Sequence, residues 1–392
     1  MKSTNVKRNQ TIGYYLSFIM LGMGMALLGP SLPTLAANTG STIAQISVLF
    51  SASSAGYFAG SVFGGKLYDR LSGHPIIAIL LGFMALGFTL IPFLPLLWLL
   101  VINLFLLGVM QGILDVGGNT LLIWVHRQDV GPFMNALHFF FGVGAFIAPI
   151  ILAQAALFSG DIKLGYLVMA VLILPVLLFM ARQPSPSAPT AAEEAADKGQ
   201  QDTRQRAVLI FLTAAILFFY VGAELGFGGW IYTYALELNL ANATTAAYLT
   251  STFWGAFTIG RLFSIPLATR FRPRVLMLTD FAGCLLGMGI IIFLPHSEAA
   301  LWGGAALVGF SMASIFPTTI SLAERRMTIS GQTTSLFFIG VGLGSMLIPW
   351  FMGQLIEPIG PQAAMYVVLS ALTIDLLVFL GMLRYSQQIK TE

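Results

Sequence analysis

Twelve apolar runs recur along this chain, over 11–36, 44–68, 75–92, 95–124, 131–157, 163–182, 207–236, 243–269, 273–294, 298–323, 331–357 and 361–385. A helix needs about 20 apolar residues to cross the hydrocarbon core of a bilayer. Lipid offers the backbone no hydrogen-bond partner, so each run is expected to satisfy its own N–H and C=O groups as an α-helix. Charged residues make up 9% of the chain, against about 25% in a soluble domain. Too few charges remain to cover a water-facing surface. The pattern predicts an all-α membrane protein of twelve transmembrane helices.

The breaks between runs organise the chain. The longest polar stretch, 183–206, holds Pro184, Pro186, Pro189 and a mixed-charge run. It reads as a linker between an amino-terminal half, 1–182, and a carboxy-terminal half, 207–392. Placing the amino terminus in the cytoplasm puts all but two of the 19 Lys and Arg residues on the cytoplasmic side. The exceptions are Lys163, in an outer loop, and Arg261, inside a span. Such an asymmetry follows the positive-inside rule and predicts an even number of spans with both termini cytoplasmic. The first run is too long for a signal peptide and has no clear cleavage motif, so it reads as the first helix. Cys284 is the single cysteine, which excludes an intrachain disulfide and a cysteine-based metal site. Basic residues are dispersed among loops, and no nucleic-acid partner is expected.

The two halves repeat at one offset of 200 residues. Gly142-Val143-Gly144 followed by Pro149 matches Gly342-Leu343-Gly344 followed by Pro349. Gly60, Leu67 and Arg70 match Gly260, Leu267 and Arg270, and Gly131 matches Gly331. A parallel six-helix repeat follows.

Two sets of motifs carry a family resemblance. Gly65-Lys66-Leu67-Tyr68-Asp69-Arg70 with Gly73 resembles the loop signature between the second and third helices of the major facilitator superfamily, with His74 in place of a basic residue. That resemblance implies a gating role for Asp69 and Arg70. Asp115-Val116-Gly117-Gly118-Asn119 and Gly131-Pro132-Phe133-Met134-Asn135-Ala136-Leu137-His138-Phe139 are similar to the sodium-dependent glucose transporter branch, a relative of the fucose permeases. Tyr220-Val221-Gly222-Ala223-Glu224 and Leu249-Thr250-Ser251-Thr252-Phe253-Trp254-Gly255, with Gly260-Arg261-Leu262, resemble the same branch. The resemblance covers nearly the whole chain and implies a hexose-like sugar with a coupling ion, sodium or proton. Asp115 falls where the fucose permease pattern has its fourth-helix acid. The first-helix acid of that pattern has no counterpart in Leu28-Gly29-Pro30-Ser31-Leu32-Pro33.

Charges inside the spans are the informative residues, because an ionised side chain deep in a bilayer costs a few kcal/mol or more unless paired or wet. Gln111, Asp115 and Asn119 lie at i, i+4 and i+8 and share one helical stripe. A polar stripe facing lipid is unfavourable, so it is expected to face a central cavity. Glu224, between Tyr220 and Gly228-Gly229, can take a proton, help hold a cation or accept sugar hydroxyls. Asp115 and Glu224 are therefore the expected ion-coupling acids. Arg261 lies about 13 Å along its helix from Arg270. It is expected to act at a gate, bridging the halves through polar groups near Asp115 or His138. Asp280 and Asp375 are placed near span ends in structural roles.

A sugar presents hydroxyls and apolar ring faces, so its site needs amides or acids beside aromatic plates. The candidates are Gln111, Asn119, Asn135, His138, Tyr220, Trp230, Tyr232, Tyr248, Thr252 and Trp254. Gly142-x-Gly144 and Gly340-x-Gly342-x-Gly344 are not phosphate loops, and the chain has no Walker pattern. The reading is a secondary active transporter, a cation-coupled sugar symporter working by alternating access. It is expected to act as a monomer in the plasma (cell inner) membrane, without a cofactor, and not as an enzyme. Two rivals stand beside it. One is a proton-coupled antiporter for drugs or amphipaths, whose pocket would be apolar around a single acid. The other is a non-transporting membrane sensor, which usually carries a sizeable soluble output domain.

Overall fold

The computed structural model describes residues 2–186, 203–327 and 331–388. All regular structure among them is helical. The linker at 187–202, the basic residues Lys198 and Lys390, and the Asp69 side chain lie outside the described residues.

The first predicted span is two helices, α1 (Lys2–Ala26) and α2 (Leu28–Thr39), bent by 47°. Pro30 explains the break. It has no N–H to give the Ala26 carbonyl, and its ring would press on that group. Ser31 Oγ donates to the Leu27 carbonyl at 2.8 Å, one turn before it. The next spans follow as α3 (Ile43–Ile46) with α4 (Val48–Arg70), α5 (Gly73–Leu90), α6 (Leu97–His126), α7 (Val130–Ser159) and α8 (Lys163–Ala181). Beyond the linker come α9 (Thr203–Glu237), α10 (Ala243–Arg270) and α11 (Pro273–Phe293). The tenth span divides into α12 (Glu298–Met312) and α13 (Ile315–Glu324). Pro317, four residues after Ala313, again removes the hydrogen bond that would carry the helix through. The chain ends in α14 (Gly331–Ile359) and α15 (Gln362–Gln388).

Ten helices among the described residues are long and apolar enough to cross a membrane, and the bent α1–α2 pair makes eleven. The twelfth expected span, α10, has 28 residues but falls short on apolarity, with Thr244, Thr245, Thr250, Ser251, Thr252 and Arg261 along its length. Large side chains face outward on these helices; Phe158 is 89% exposed and Phe293 84%. Rings presented so openly suit acyl chains, not water. The protein is an integral membrane protein.

The chain groups into two compact units, Met1–Ala195 with Ala243–Ser251, and Ala196–Asn242 with Thr252–Glu392. The first nine residues of α10 thus join the amino-terminal unit, where the sequence placed the boundary in the linker. Inside the first unit α1 packs on α7, α4 on α6 and α5 on α8. The second unit pairs α9 with α14 and α11 with α15. Matching glycines make matching contacts. A Cβ on Gly144 would lie 2.0 Å from the Ile19 carbonyl oxygen, and one on Gly344 2.1 Å from that of Phe218. Both helix pairs touch backbone to backbone, as small residues allow in membranes.

Two polar clusters finish the helix ends. His74 is fully buried. Its Nε2 meets the Tyr14 hydroxyl at 2.7 Å and its Nδ1 the Gln183 carbonyl at 3.2 Å, while its backbone N–H donates to Ser185 Oγ at 2.9 Å. His74 therefore ties down the start of the linker. Between α7 and α8, Lys163 Nζ lies 2.9 Å from Asp161. The hydrogen bond from Lys163 holds the Asp161 carboxyl below its usual range.

Candidate functional site

In the amino-terminal unit the site grows from a glycine seam. Cβ atoms on Gly108 and Gly112 of α6 would lie 2.1 and 2.2 Å from the Ser53 and Tyr57 carbonyl oxygens of α4. Helices pressed this close bring the Tyr57 side chain to the polar stripe of α6. The Tyr57 hydroxyl donates to Asp115 Oδ2 at 2.5 Å. Asn119 Nδ2 donates to Asp115 Oδ1 at 3.1 Å and to the Asp115 carbonyl at 2.9 Å. Each carboxylate oxygen thus holds a neutral donor, which orients the group without neutralising it. Gln111, one turn earlier, is 4% exposed, and its Nε2 would stand 2.6 Å from a Cβ on Gly24 of α1. Gln111, Asp115 and Asn119 do share one face, as their spacing predicts. Tyr57 was not foreseen. The Ser53–Ser54–Gly56–Tyr57–Ser61 polarity of α4 was its only trace in the sequence.

His138 sits on α7 with its ring 6.0 Å from that of Phe18, edge to face. Asn135 is exposed, one turn earlier. Arg70 is exposed at the end of α4. Tyr248, in the turns of α10 that group with this unit, takes a hydrogen bond from Gln154.

The carboxy-terminal unit builds a second site between α9 and α10. The break after α12 leaves the Met312 carbonyl without its helical partner, and the Tyr220 hydroxyl lies 2.9 Å from it. Glu224, one turn along α9, feels that hydroxyl and the charge of Arg261. Arg261 Cζ stands 4.5 Å from the centroid of the Phe257 ring, a cation–π arrangement. Arg261 therefore finds its aromatic and acidic neighbours inside its own unit.

Trp254 continues the aromatic wall, 5.7 Å from Phe257 and 5.0 Å from Phe253. Gly228 makes room for it; a Cβ there would lie 2.9 Å from Trp254 Cζ2. Trp254 is 3% exposed, and its Nε1 has no hydrogen-bond partner among the described residues. Trp230 is different. It is fully buried, and its Nε1 donates to the Pro349 carbonyl at 2.8 Å, which makes that indole part of the α9–α14 packing. Tyr232 is 8% exposed on the same helix. Thr252 is half-buried, two residues before Trp254.

Two membrane acids remain, both expected near span ends. Asp280 is bonded by Ser314 Oγ. Asp375 lies in the middle of α15, not near its end, and is fully buried with neither carboxylate oxygen partnered among the described residues.

The sequence matches the Major Facilitator Superfamily over residues 14–349. Among proteins of similar sequence, sodium-dependent glucose transporter 1 of Xenopus laevis is 35% identical over 385 residues, covering 91% of this chain and 78% of that protein. Sodium-dependent glucose transporter 1 of Homo sapiens is 30% identical over 373 residues, covering 86% and 72%. Among solved structures, a mutant of the nucleoside transporter NupG superposes with a TM-score of 0.75 at 14% identity, covering 97% of this chain and 99% of that one. With its repeated helix pairs, its glycine seams and a profile match across most of its length, the chain belongs to the Major Facilitator Superfamily.

Proposed function

We propose that this protein is a secondary active transporter that carries a hexose-like sugar together with a cation, by alternating access. The carrying observation is the Asp115 carboxylate, oriented inside its span by the Tyr57 hydroxyl and the Asn119 amide. A carboxylate oriented in this way can accept a proton or help hold a cation. The sugar reading draws on relatives named sodium-dependent glucose transporter 1 at 30–35% identity. The chemistry beside the two acids supports it. In the amino-terminal unit Gln111 and Asn119 offer amides of the kind sugar hydroxyls need. In the carboxy-terminal unit Trp254 offers a flat apolar ring and an uncommitted N–H.

In this reading Asp115 is the first coupling group and Glu224 the second, with Glu224 also shaping the sugar site beside Trp254. Arg261 governs how readily Glu224 carries charge. The coupling ion is sodium or a proton. The protein works as a monomer in the cell membrane, with six-helix halves at 1–182 and 207–392, a linker at 183–206 and both termini cytoplasmic. Uptake of labelled hexoses into proteoliposomes under imposed sodium or proton gradients tests it. Accumulation driven by either gradient is the expected result. Accumulation driven by neither, with lipophilic cations moved against a proton gradient instead, would replace it with drug antiport.

A further inference from the structure

Far from the acids, the amino-terminal unit encloses a recess of about 460 Å³. Its walls are Lys7 and Gln10 of α1, Trp124 and Val125 of α6, Arg127 just beyond α6, and Pro186 after α8. These parts are fastened to one another. Thr11 Oγ1 and His126 Nε2, 2.7 Å apart, tie α1 to α6. The His126 ring stacks on Phe133 of α7 with centroids 3.5 Å apart. Gln10 Nε2 donates to the Pro184 carbonyl at 2.7 Å, which fixes the approach to Pro186. Lys7 and Arg127 are exposed and Trp124 is half-buried. Asp129, the nearest acid along the chain, is exposed and does not line the recess.

Arg127 is the anomaly. Its backbone has φ 53° and ψ −124°, the geometry of the first central residue of a type II′ turn, which favours glycine. Glycine would adopt it without steric cost. An arginine kept there contributes through its side chain, and that side chain lines the recess. The protein's own repeat makes the same point. At the offset of 200, Lys7, Gln10, Trp124 and Arg127 correspond to Ala207, Ile210, Glu324 and Met327. The repeated fold does not call for two cations and an indole at these places.

We propose that this recess binds an anionic phospholipid, with the headgroup phosphate between Lys7 and Arg127 and the glycerol region against Trp124 and Val125. Guanidinium and ammonium groups are the side chains that pair with phosphate. Trp124 lies two residues before the end of α6, and indoles near span ends sit at headgroup level. A free phosphate would meet the two cations and leave the apolar wall unused. A phospholipid uses both, as basic pockets between helices at a membrane surface do. So bound, it braces α1 against the turn between α6 and α7. The proposed orientation opens the recess on the cytoplasmic leaflet, where anionic lipids concentrate. Only the choice of leaflet rests on that orientation.

Melting of the purified full-length protein in neutral detergent, with added phosphatidylglycerol or phosphatidylcholine, tests the site without a transport assay. A lipid that binds the folded state raises the melting temperature. Phosphatidylglycerol should do so at concentrations where phosphatidylcholine does not. Lys7→Gln should weaken its binding about fivefold, and Lys7→Gln with Arg127→Gln about thirtyfold. Arg272→Gln with Arg274→Gln removes the same charge from exposed positions elsewhere and should bind as the wild type does. Equal responses to the two lipids, an equal loss in the Arg272 and Arg274 pair, or inorganic phosphate matching phosphatidylglycerol would each overturn the proposal. Should the Lys7 and Arg127 pair fail to fold, Arg127→Gly decides. It should melt no lower than the wild type without lipid and respond less to phosphatidylglycerol; an undiminished response overturns the site.

Discussion

The Tyr57 hydroxyl donates to Asp115 Oδ2 at 2.5 Å across 58 residues of chain. A hydrogen bond to a charged group is worth about 1.5–3 kcal/mol. Tyr57→Phe should therefore lose ion affinity on the order of tenfold to a hundredfold, read as the ion concentration giving half-maximal uptake. Asp115→Asn should go further, abolishing gradient-driven accumulation while sugar–sugar exchange continues. Normal accumulation in Asp115→Asn would remove it from the coupling mechanism.

The two buried indoles should separate binding from packing. Trp230→Phe loses the bond to the Pro349 carbonyl and should cost about 1 kcal/mol of stability, with sugar affinity unchanged. Trp254→Phe removes an N–H that the protein itself does not use. It should weaken sugar binding, measured by calorimetry, beyond any loss of stability from the smaller buried ring. Equal sugar affinities in wild type and Trp254→Phe would exclude Trp254 from hydroxyl recognition.

Glu224 and Arg261 should be energetically coupled. Both are half-buried, and Glu224 feels the charge of Arg261, so removing either leaves the other less well compensated. We expect Arg261→Ala and Glu224→Gln each to lower thermal stability, and the double variant to lose less than the sum, with a coupling of about 0.5–3 kcal/mol. Strict additivity would show that the two act independently.

Gly144 and Gly344 should be equally intolerant of side chains. A Cβ at either meets a backbone carbonyl at 2.0–2.1 Å, and no flexible side chain is there to yield. Gly144→Ala and Gly344→Ala should each cost about 1–3 kcal/mol as overpacking. Gly131→Ala, with nothing within 4 Å, is the control. Melting of the three variants in detergent distinguishes them.

The orientation is open to a direct check. Single cysteines introduced at Thr190, Arg272 and Arg326 in a Cys284→Ala background should react with an impermeant reagent from the cytoplasmic side. A cysteine at Asp161 should react from outside. Thr190 and Asp161 reacting from one side would refute the membrane map.

What the sequence revealed and what it hid follow from distance along the chain. Gln111, Asp115 and Asn119 share a face because 3.6-residue periodicity requires it, and the helix confirms it. The break at Leu27 was within reach of the Pro30 rule, yet a hydropathy window runs straight through it. Tyr57 was out of reach, since only the packing of α4 on α6 brings it to Asp115. Trp230 and Trp254 are alike in sequence, both indoles within apolar spans. Their difference lies in whether a carbonyl, here that of Pro349, happens to stand opposite the indole. Asp375 was set near a helix end and assigned a structural role, although α15 extends evenly on both sides of it.

The contact between Lys163 and Asp161 bears on how the chain enters the membrane. In the proposed orientation Lys163 is the only basic residue placed in an outer loop. Carrying its charge across a membrane held at 100 mV, positive outside, would cost about 2.3 kcal/mol. Asp161 is two residues away, with Oδ2 at 2.9 Å from Nζ and Oδ1 at 3.2 Å from the Lys163 backbone N–H. The pair is local and can close as soon as the first turn of α8 forms. Its depressed acid keeps the pair intact at neutral pH and loses it only as pH falls through the folded value. The loop then crosses as a neutral dipole, and the membrane potential has nothing to hold back.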